Sequence, residues 1–219
     1  MAKAVDKRYF IYPVHGKACS ATSGTAMSVI LGPEAIKSTN YGSGTDSTSI
    51  SSYMKPLNTK DYTIIGTGPK GLWVAGHLLN DNLGGSGTDA ENLTPLTQTA
   101  NKQHSGYEGK IKAGLDASRQ LMEGYASIPF IVGIKYEVAV SSATFGTFAP
   151  YDKAPSHLSI KTTLVKADKK TFDIDVLGVN DWTGIPASIA NYLKAAVFAT
   201  DIHNDDSHLL NCANPNCMH

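Results

Sequence analysis

Arg8 and Arg119 are the only arginines in this chain of 219 residues, and cysteine is almost as scarce. The three cysteines, Cys19, Cys212 and Cys217, are too few for a disulfide scaffold, and their odd count suits a reducing compartment. Charge is thin as well: 17% of the residues are charged, and 19 basic residues balance 19 acidic ones. A protein wrapped in nucleic acid usually carries a basic surplus, so neutrality excludes a global basic surface and leaves room only for a local strip. No run approaches the roughly eighteen apolar residues that a membrane helix needs. The first ten residues also lack the apolar core of a signal peptide. The expectation is a chain made in the cytoplasm, without a Sec signal peptide and without membrane contact.

What is present is enough for a core. The apolar fraction is 42%, and the length suits one domain or a domain with a substantial extension. Residues 8–14 are rich in β-formers but interrupted by Pro13, which suits an edge strand. Residues 26–31 form a second strand, stopped by Gly32 and Pro33. Residues 38–52 are nearly all Ser, Thr, Gly, Asn and Asp, and read as a long exposed loop. Gly-Ser-Gly-Thr-Asp stands at 42–46 and again at 85–89; because the flanks differ, the recurrence reads as coincidence. Residues 61–67 suggest a strand and 72–79 a second apolar run. Residues 92–96 are short and apolar. From about 101 to 126 the period becomes helical, with Ile111, Leu115, Met122 and Tyr125 on one stripe and Pro129 as the stop. Strands follow at 130–140, 158–165 and 171–179, the last two joined by a turn at 166–170. A helix is expected at 185–199, with a polar tail from 201.

The chemically loaded stretch is 73–108. On a helix counted from Asn101, His104, Glu108, Leu115 and Met122 all fall within about 60° of one meridian. The polar helix start therefore shares the face that becomes apolar further on, and that face must look at the preceding β-segments. His77 ends one of those segments, so His77 and Asn101 can converge. Lys112 and Arg119 lie near the same meridian. Taken singly, His77 is a packed histidine, Asn101 a helix-start residue and Glu108 a dipole partner. Their ordered spacing favours a site.

Gly76-His77, Asn92-Leu-Thr-Pro95, Asn101 and Glu108 together resemble the His-Me finger (ββα-metal) endonucleases, in particular the DNA/RNA non-specific group. Residues 75–80 (Ala-Gly-His-Leu-Leu-Asn), 83–85 (Leu-Gly-Gly) and 100–104 (Ala-Asn-Lys-Gln-His) look like bacterial toxin- or effector-type members. The resemblance spans less than a fifth of the chain. It implies an α+β fold, with a ββα-metal core embedded in a mainly antiparallel sheet with flanking helices. It implies hydrolysis of DNA, with RNA left open as a second substrate, to 5′-phosphate and 3′-hydroxyl products. His77 would be the general base and Asn101 the ligand of Mg²⁺, with Mn²⁺ as substitute. Glu108 would hold a metal-bound water and Asn92 would brace the loop. His104, Lys102 and Arg119 are candidate substrate contacts. Besides the nucleic acid substrate, an immunity or inhibitor protein or a delivery particle is the implied partner, and export or delivery into a target cell by a specialised system the implied route. Residues 1–60 read as an N-terminal extension or as part of the same domain, 61–200 as the nuclease domain and 201–219 as the tail.

Two departures stand out. Val74-Ala75 occupy the place of the family's Asp-Arg, so a backbone carbonyl would have to orient the imidazole. The cation that stabilises the transition state is unassigned, with Lys60, Lys70 and Lys102 nearby as point charges. The missing pair also opens a second reading, a catalytically inactive scaffold acting as a binding or structural module. In the tail, His203, His208, Cys212, Cys217 and His219 are metal-ligand types whose spacing matches no zinc module.

Overall fold

A computed structural model describes residues 11–15, 23–33, 43–45, 47–65, 73–147, 149–171 and 173–204. The chain is α+β with antiparallel sheets and three helices among these residues. The larger sheet has six strands: β1 (Ile11–His15), β2 (Ala26–Leu31), β5 (Phe130–Val140), β6 (His157–Asp168), β7 (Ile174–Val176) and β8 (Ala199–His203). Its order is β1-β2-β5-β6, after which the outer edge of β6 is shared. Residues 157–161 pair with β8 and residues 165–167 with β7.

Alternation builds this sheet. Met27, Val29 and Leu31 on β2, Val132, Ile134, Tyr136 and Val138 on β5, and Leu158, Ile160 and Leu164 on β6 are all buried in one cluster. A two-residue period sends every second side chain to the same face. Covering that face are α2 (Gln98–Gly124), through Ala100, Ile111, Ala117 and Leu121, and α3 (Ala187–Ala195), through Ile189 and Leu193. Each fully buried side chain of this size is worth roughly 1.5–3 kcal/mol.

A second sheet is the hairpin of β3 (Trp73–His77) and β4 (Leu93–Thr97), paired from Trp73↔Thr97 to His77↔Leu93. It stands apart from the six-stranded sheet, so it is not embedded there as the sequence implied. The chain passes directly from β4 into α2, where the Thr97 hydroxyl accepts from the Ala100 N–H at 3.1 Å. Wholly buried Asn204 fastens the free edge of β4: its Oδ1 accepts from Thr97 N, and its Nδ2 donates to the carbonyls of Pro95 and Pro155. Behind the hairpin lies α1 (Ser51–Ile65), whose Met54 and Leu57, with Ile50, pack on Trp73, Ala75 and Leu93.

Several sequence expectations change here. Residues 47–52 are helical and not loop, and 61–65 continue α1 where a strand was expected. The apolar spacing Ile50-Met54-Leu57 outweighs the β-propensity of Tyr62, Thr63, Ile64 and Ile65. α2 begins at Gln98 and ends at Gly124, which leaves Tyr125 outside it and exposed. β6 runs on through Lys166, Ala167 and Asp168, because pairing with β5 reaches Phe130↔Asp168. β7 is only three residues long, and α3 spans Ala187–Ala195. The stretch read as tail begins inside β8, and residue 60 falls inside α1, so both expected domain boundaries lie within elements. The tail residues His208, Cys212, Cys217 and His219, like Lys70, lie outside the described residues.

Candidate active site at the hairpin and helix junction

The hairpin and the first three turns of α2 enclose a cavity of about 440 Å³, lined by His77, Asn80, Asn101, His104 and Glu108 and walled by Thr45, Met54, Asn58 and Trp73. A larger groove, about 790 Å³, lies on the outer face of the six-stranded sheet and contains none of these residues. His77 and Asn101 line the same cavity, as the helix-face argument expected. Gly76 makes this approach feasible. A Cβ there would stand 2.4 Å from Leu96 Cδ1 and 3.2 Å from Asn101 Oδ1, so a side chain would have to displace Leu96 and would crowd the Asn101 carboxamide.

The backbone that follows His77 is gripped by buried polar groups. Leu78 N donates to the Asn92 carbonyl at 2.8 Å, and Leu79 N donates to Asn92 Oδ1 at 3.0 Å. Asn92 Nδ2 donates to the carbonyls of Leu79 and Ser86, both at 2.9 Å. Asn80 N donates to Glu108 Oε1 at 3.1 Å. Tyr136 Oη donates to the Leu78 carbonyl at 3.2 Å and lies 2.6 Å from His104 Nε2. Asn92 is completely buried and thus braces the loop. Tyr136 and Asn80 escaped sequence reasoning, since one reads as a sheet-core aromatic and the other as a turn residue.

Burial dominates the electrostatics. It pushes Glu108 from 4.5 up to about 8, with Asp81 adding to the rise while the Asn80 N–H and Lys112 oppose it. Burial, and then the charge of His77, lowers His104 from 6.5 to about 4. Glu108 Oε1 and His104 Nε2 are 3.9 Å apart, yet near pH 7 the first is mostly protonated and the second neutral. They therefore form no ion pair near pH 7.

His77 is half-buried, and residues 43–45 reach both of its ring nitrogens. Nε2 lies 3.1 Å from the Ser43 carbonyl and Nδ1 lies 3.1 Å from Thr45 Oγ1. A carbonyl can only accept, so Nε2 carries a proton and a neutral ring has its lone pair on Nδ1. The Asn101 carboxamide has no hydrogen-bond partner among the described residues. Those residues also contain no cluster of three His, Cys, Asp or Glu able to cage a metal. One free carboxamide oxygen beside a buried carboxyl suits a hard ion that keeps most of its water.

Lys102 is exposed, one residue beyond Asn101, and does not line the cavity. Arg119 pairs with Asp116, about 27 Å along the helix axis from Asn101 at 1.5 Å per residue. Val74 and Ala75 both line the cavity, so no charged pair precedes the Gly-His there.

No protein-family model matches the chain, and no curated protein matches it. Among solved structures it is similar to one described as Sda1 nuclease with bound zinc ion. The two are 14% identical, the alignment covers 90% of this chain and 76% of the other, and the TM-score is 0.47. Identity and score of that size leave the chemistry to the residues themselves.

Proposed function

We propose that this chain is a metal-dependent endonuclease that hydrolyses phosphodiester bonds of DNA, and of RNA as a second substrate. The observation that carries the reading is the shared cavity of His77, Asn101 and Glu108 at the hairpin and helix junction. Phosphodiester hydrolysis needs a base for the attacking water and positive charge where the phosphorus centre gathers negative charge. His77 is the base: its Nδ1 takes a proton as the water oxygen bonds to phosphorus. The P–O3′ bond then breaks, leaving a 5′-phosphate and, once solvent protonates the leaving oxygen, a 3′-hydroxyl. Asn101 would hold Mg²⁺ or Mn²⁺, which when bound supplies Lewis acidity beside the scissile phosphate. Glu108 holds the Asn80 backbone and faces the same cavity. Asn92 keeps the His77 segment in place.

The toxin- or effector-type assignment, with an immunity protein or a delivery particle as partner and a specialised export route, rests on the resemblance at 75–80, 83–85 and 100–104. No helix among the described residues is long and apolar enough to cross a membrane. The occupation of both His77 nitrogens also fits the second reading, a binding scaffold without activity. One experiment separates the two. Purified protein should degrade plasmid with Mg²⁺, and EDTA or His77→Ala should abolish cleavage. Undiminished cleavage by His77→Ala overturns the assignment, and no cleavage by the wild type under any divalent ion favours the scaffold.

A further inference from the structure

The 43–45 segment lies more than thirty residues ahead of His77, outside the stretch in which the site residues cluster, yet it makes both hydrogen bonds to the imidazole. Its own anchorage is independent of His77. Gly87 N donates to Ser43 Oγ at 2.8 Å. A Cβ on Gly87 would stand 2.1 Å from the Gly44 carbonyl oxygen and 2.4 Å from that of Ser43, so the two backbones touch. Just beyond, Ser49 Oγ donates to the Thr88 carbonyl at 2.7 Å. The touching glycines are the third residues of the two Gly-Ser-Gly-Thr-Asp copies, 42–46 and 85–89. The two copies therefore meet, at residues 43–44 of the first and Gly87 of the second.

The second copy is tied back to the site. Asn92 Nδ2 donates both to Leu79 O, two residues after His77, and to Ser86 O within the second copy. One buried carboxamide therefore fixes the backbone behind His77 together with the loop that seats the strap in front of it. A loop packed there only for stability would have no need to meet both ring nitrogens with complementary groups. Here an obligate acceptor faces Nε2 and a hydroxyl, able to donate, faces Nδ1.

We propose that residues 43–45 are a positioning strap for His77. The Ser43 carbonyl holds the proton on Nε2 and thereby makes Nδ1 the base. The Thr45 hydroxyl keeps the place beside Nδ1 that the attacking water takes. The catalytic part of this statement rests on the nuclease reading; the tautomer part does not. The N-terminal region then completes the site, and it supplies the orienting carbonyl that Val74 and Ala75 cannot replace with a side chain. A neutral histidine without such an acceptor divides itself between tautomers and ring orientations, and a misplaced catalytic group loses on the order of 10²-fold in rate.

The test displaces the strap without touching a cavity residue. Gly87→Ala must push residues 43–44 away, and Ser43→Ala removes the Oγ anchor while keeping the carbonyl. ¹⁵N imidazole NMR of the full chain, with His77→Gln used to assign the resonance, should show Nε2–H and an unprotonated Nδ1 at His77. Gly87→Ala should give averaged nitrogen shifts, and Ser43→Ala a smaller change in the same direction. In plasmid cleavage with Mg²⁺, Gly87→Ala should lower kcat by roughly 10²-fold with KM nearly unchanged. An Nδ1–H tautomer in the wild type overturns the proposal, as do His77 shifts that neither variant changes. If Gly87→Ala fails to fold, Ser43→Ala decides. Shifts as expected with no cleavage by any form would sink the nuclease reading and leave the strap standing.

Discussion

The six-stranded sheet and the hairpin are held together by different means. The sheet is predominantly apolar on its buried face: Val132, Ile134 and Val138 on β5 meet Leu158, Ile160 and Leu164 on β6, under an apolar stripe of α2, with Thr162 the polar residue buried among them. Around the hairpin, by contrast, Asn92, Thr94, Thr97, His104, Glu108 and Asn204 are all buried polar residues. Apolar packing is non-directional and tolerates small shifts, whereas buried hydrogen bonds fix positions and are costly to leave unmade. The sheet therefore supplies stability, and the hairpin supplies the placement of His77. Tyr136 lies at the boundary, with its ring in the sheet core and its hydroxyl on the His77 segment.

The sharpest contrast concerns activity. His77→Ala should reduce cleavage by roughly 10³-fold, within the range for losing a general base, while shifting the urea midpoint little because the ring is half-buried. Ile134→Val, in the sheet, should cost about 1 kcal/mol and leave kcat per folded molecule unchanged. Equal losses of activity in the two variants would erase the distinction. Next in size is Asn92→Ala. It leaves Leu79 N, Leu79 O and Ser86 O without their partner, at about 1–3 kcal/mol for each group left unsatisfied. Since water or relaxation will rescue some of them, about 3 kcal/mol is expected by urea denaturation, with kcat falling further than stability explains. A loss near 1 kcal/mol with kcat intact would make Asn92 an ordinary turn residue.

The same contrast explains what could be read from the sequence. Strands β2 and β5 announce themselves by alternation, and their bounds fall where the pattern ends. That His77, Asn101 and Glu108 line one cavity was legible because helical geometry carries a spacing rule across 101–108, and the Gly-His pair marks the strand end. The grip on His77 was not legible. Ser43 acts through its backbone carbonyl, which has no letter in the sequence, and Tyr136 comes from a strand that looks purely structural. Duplication of Gly-Ser-Gly-Thr-Asp was the one available signal for the strap, and a five-letter match between turn-rich segments has no directional content. α1 was misread for another reason: local β-propensity at 62–65 yields to the packing of Ile50, Met54 and Leu57 on Trp73, a contact no window that short contains.

The buried pair gives a pH signature that a purely apolar core lacks. Glu108 rises from 4.5 to about 8 in the folded state, so its contribution is complete below pH 4.5 and is lost as the pH climbs through 8. His104 falls from 6.5 to about 4, so its contribution is complete above pH 6.5 and is lost as the pH drops through 4. Between 4.5 and 6.5 the two slopes oppose each other and stability should be flat, with a loss on either side. Urea midpoints measured from pH 4 to 9 in EDTA should show this plateau; Glu108→Gln should remove the alkaline limb and, with the His104 slope unopposed, turn the plateau into a rise up to pH 6.5. An unchanged alkaline limb in Glu108→Gln would assign it to another group.

The smallest effect probes the strap's outer contact. Thr45→Val keeps the shape of the side chain and removes the hydroxyl at 3.1 Å from His77 Nδ1, while the Ser43 carbonyl stays on Nε2. Under the proposed mechanism the attacking water must displace that hydroxyl to reach Nδ1. A net hydrogen bond is worth about 0.5–1.5 kcal/mol, so removing the competitor can raise kcat by at most roughly tenfold, and about twofold to threefold is expected because water competes well for an exposed lone pair. KM should not move, since Thr45 holds the base and not the polymer. A tenfold fall in kcat would show instead that the hydroxyl takes part in placing the water. In that case the strap would serve the reaction on both of its contacts, and the hairpin would depend on the N-terminal region more heavily than the sheet does.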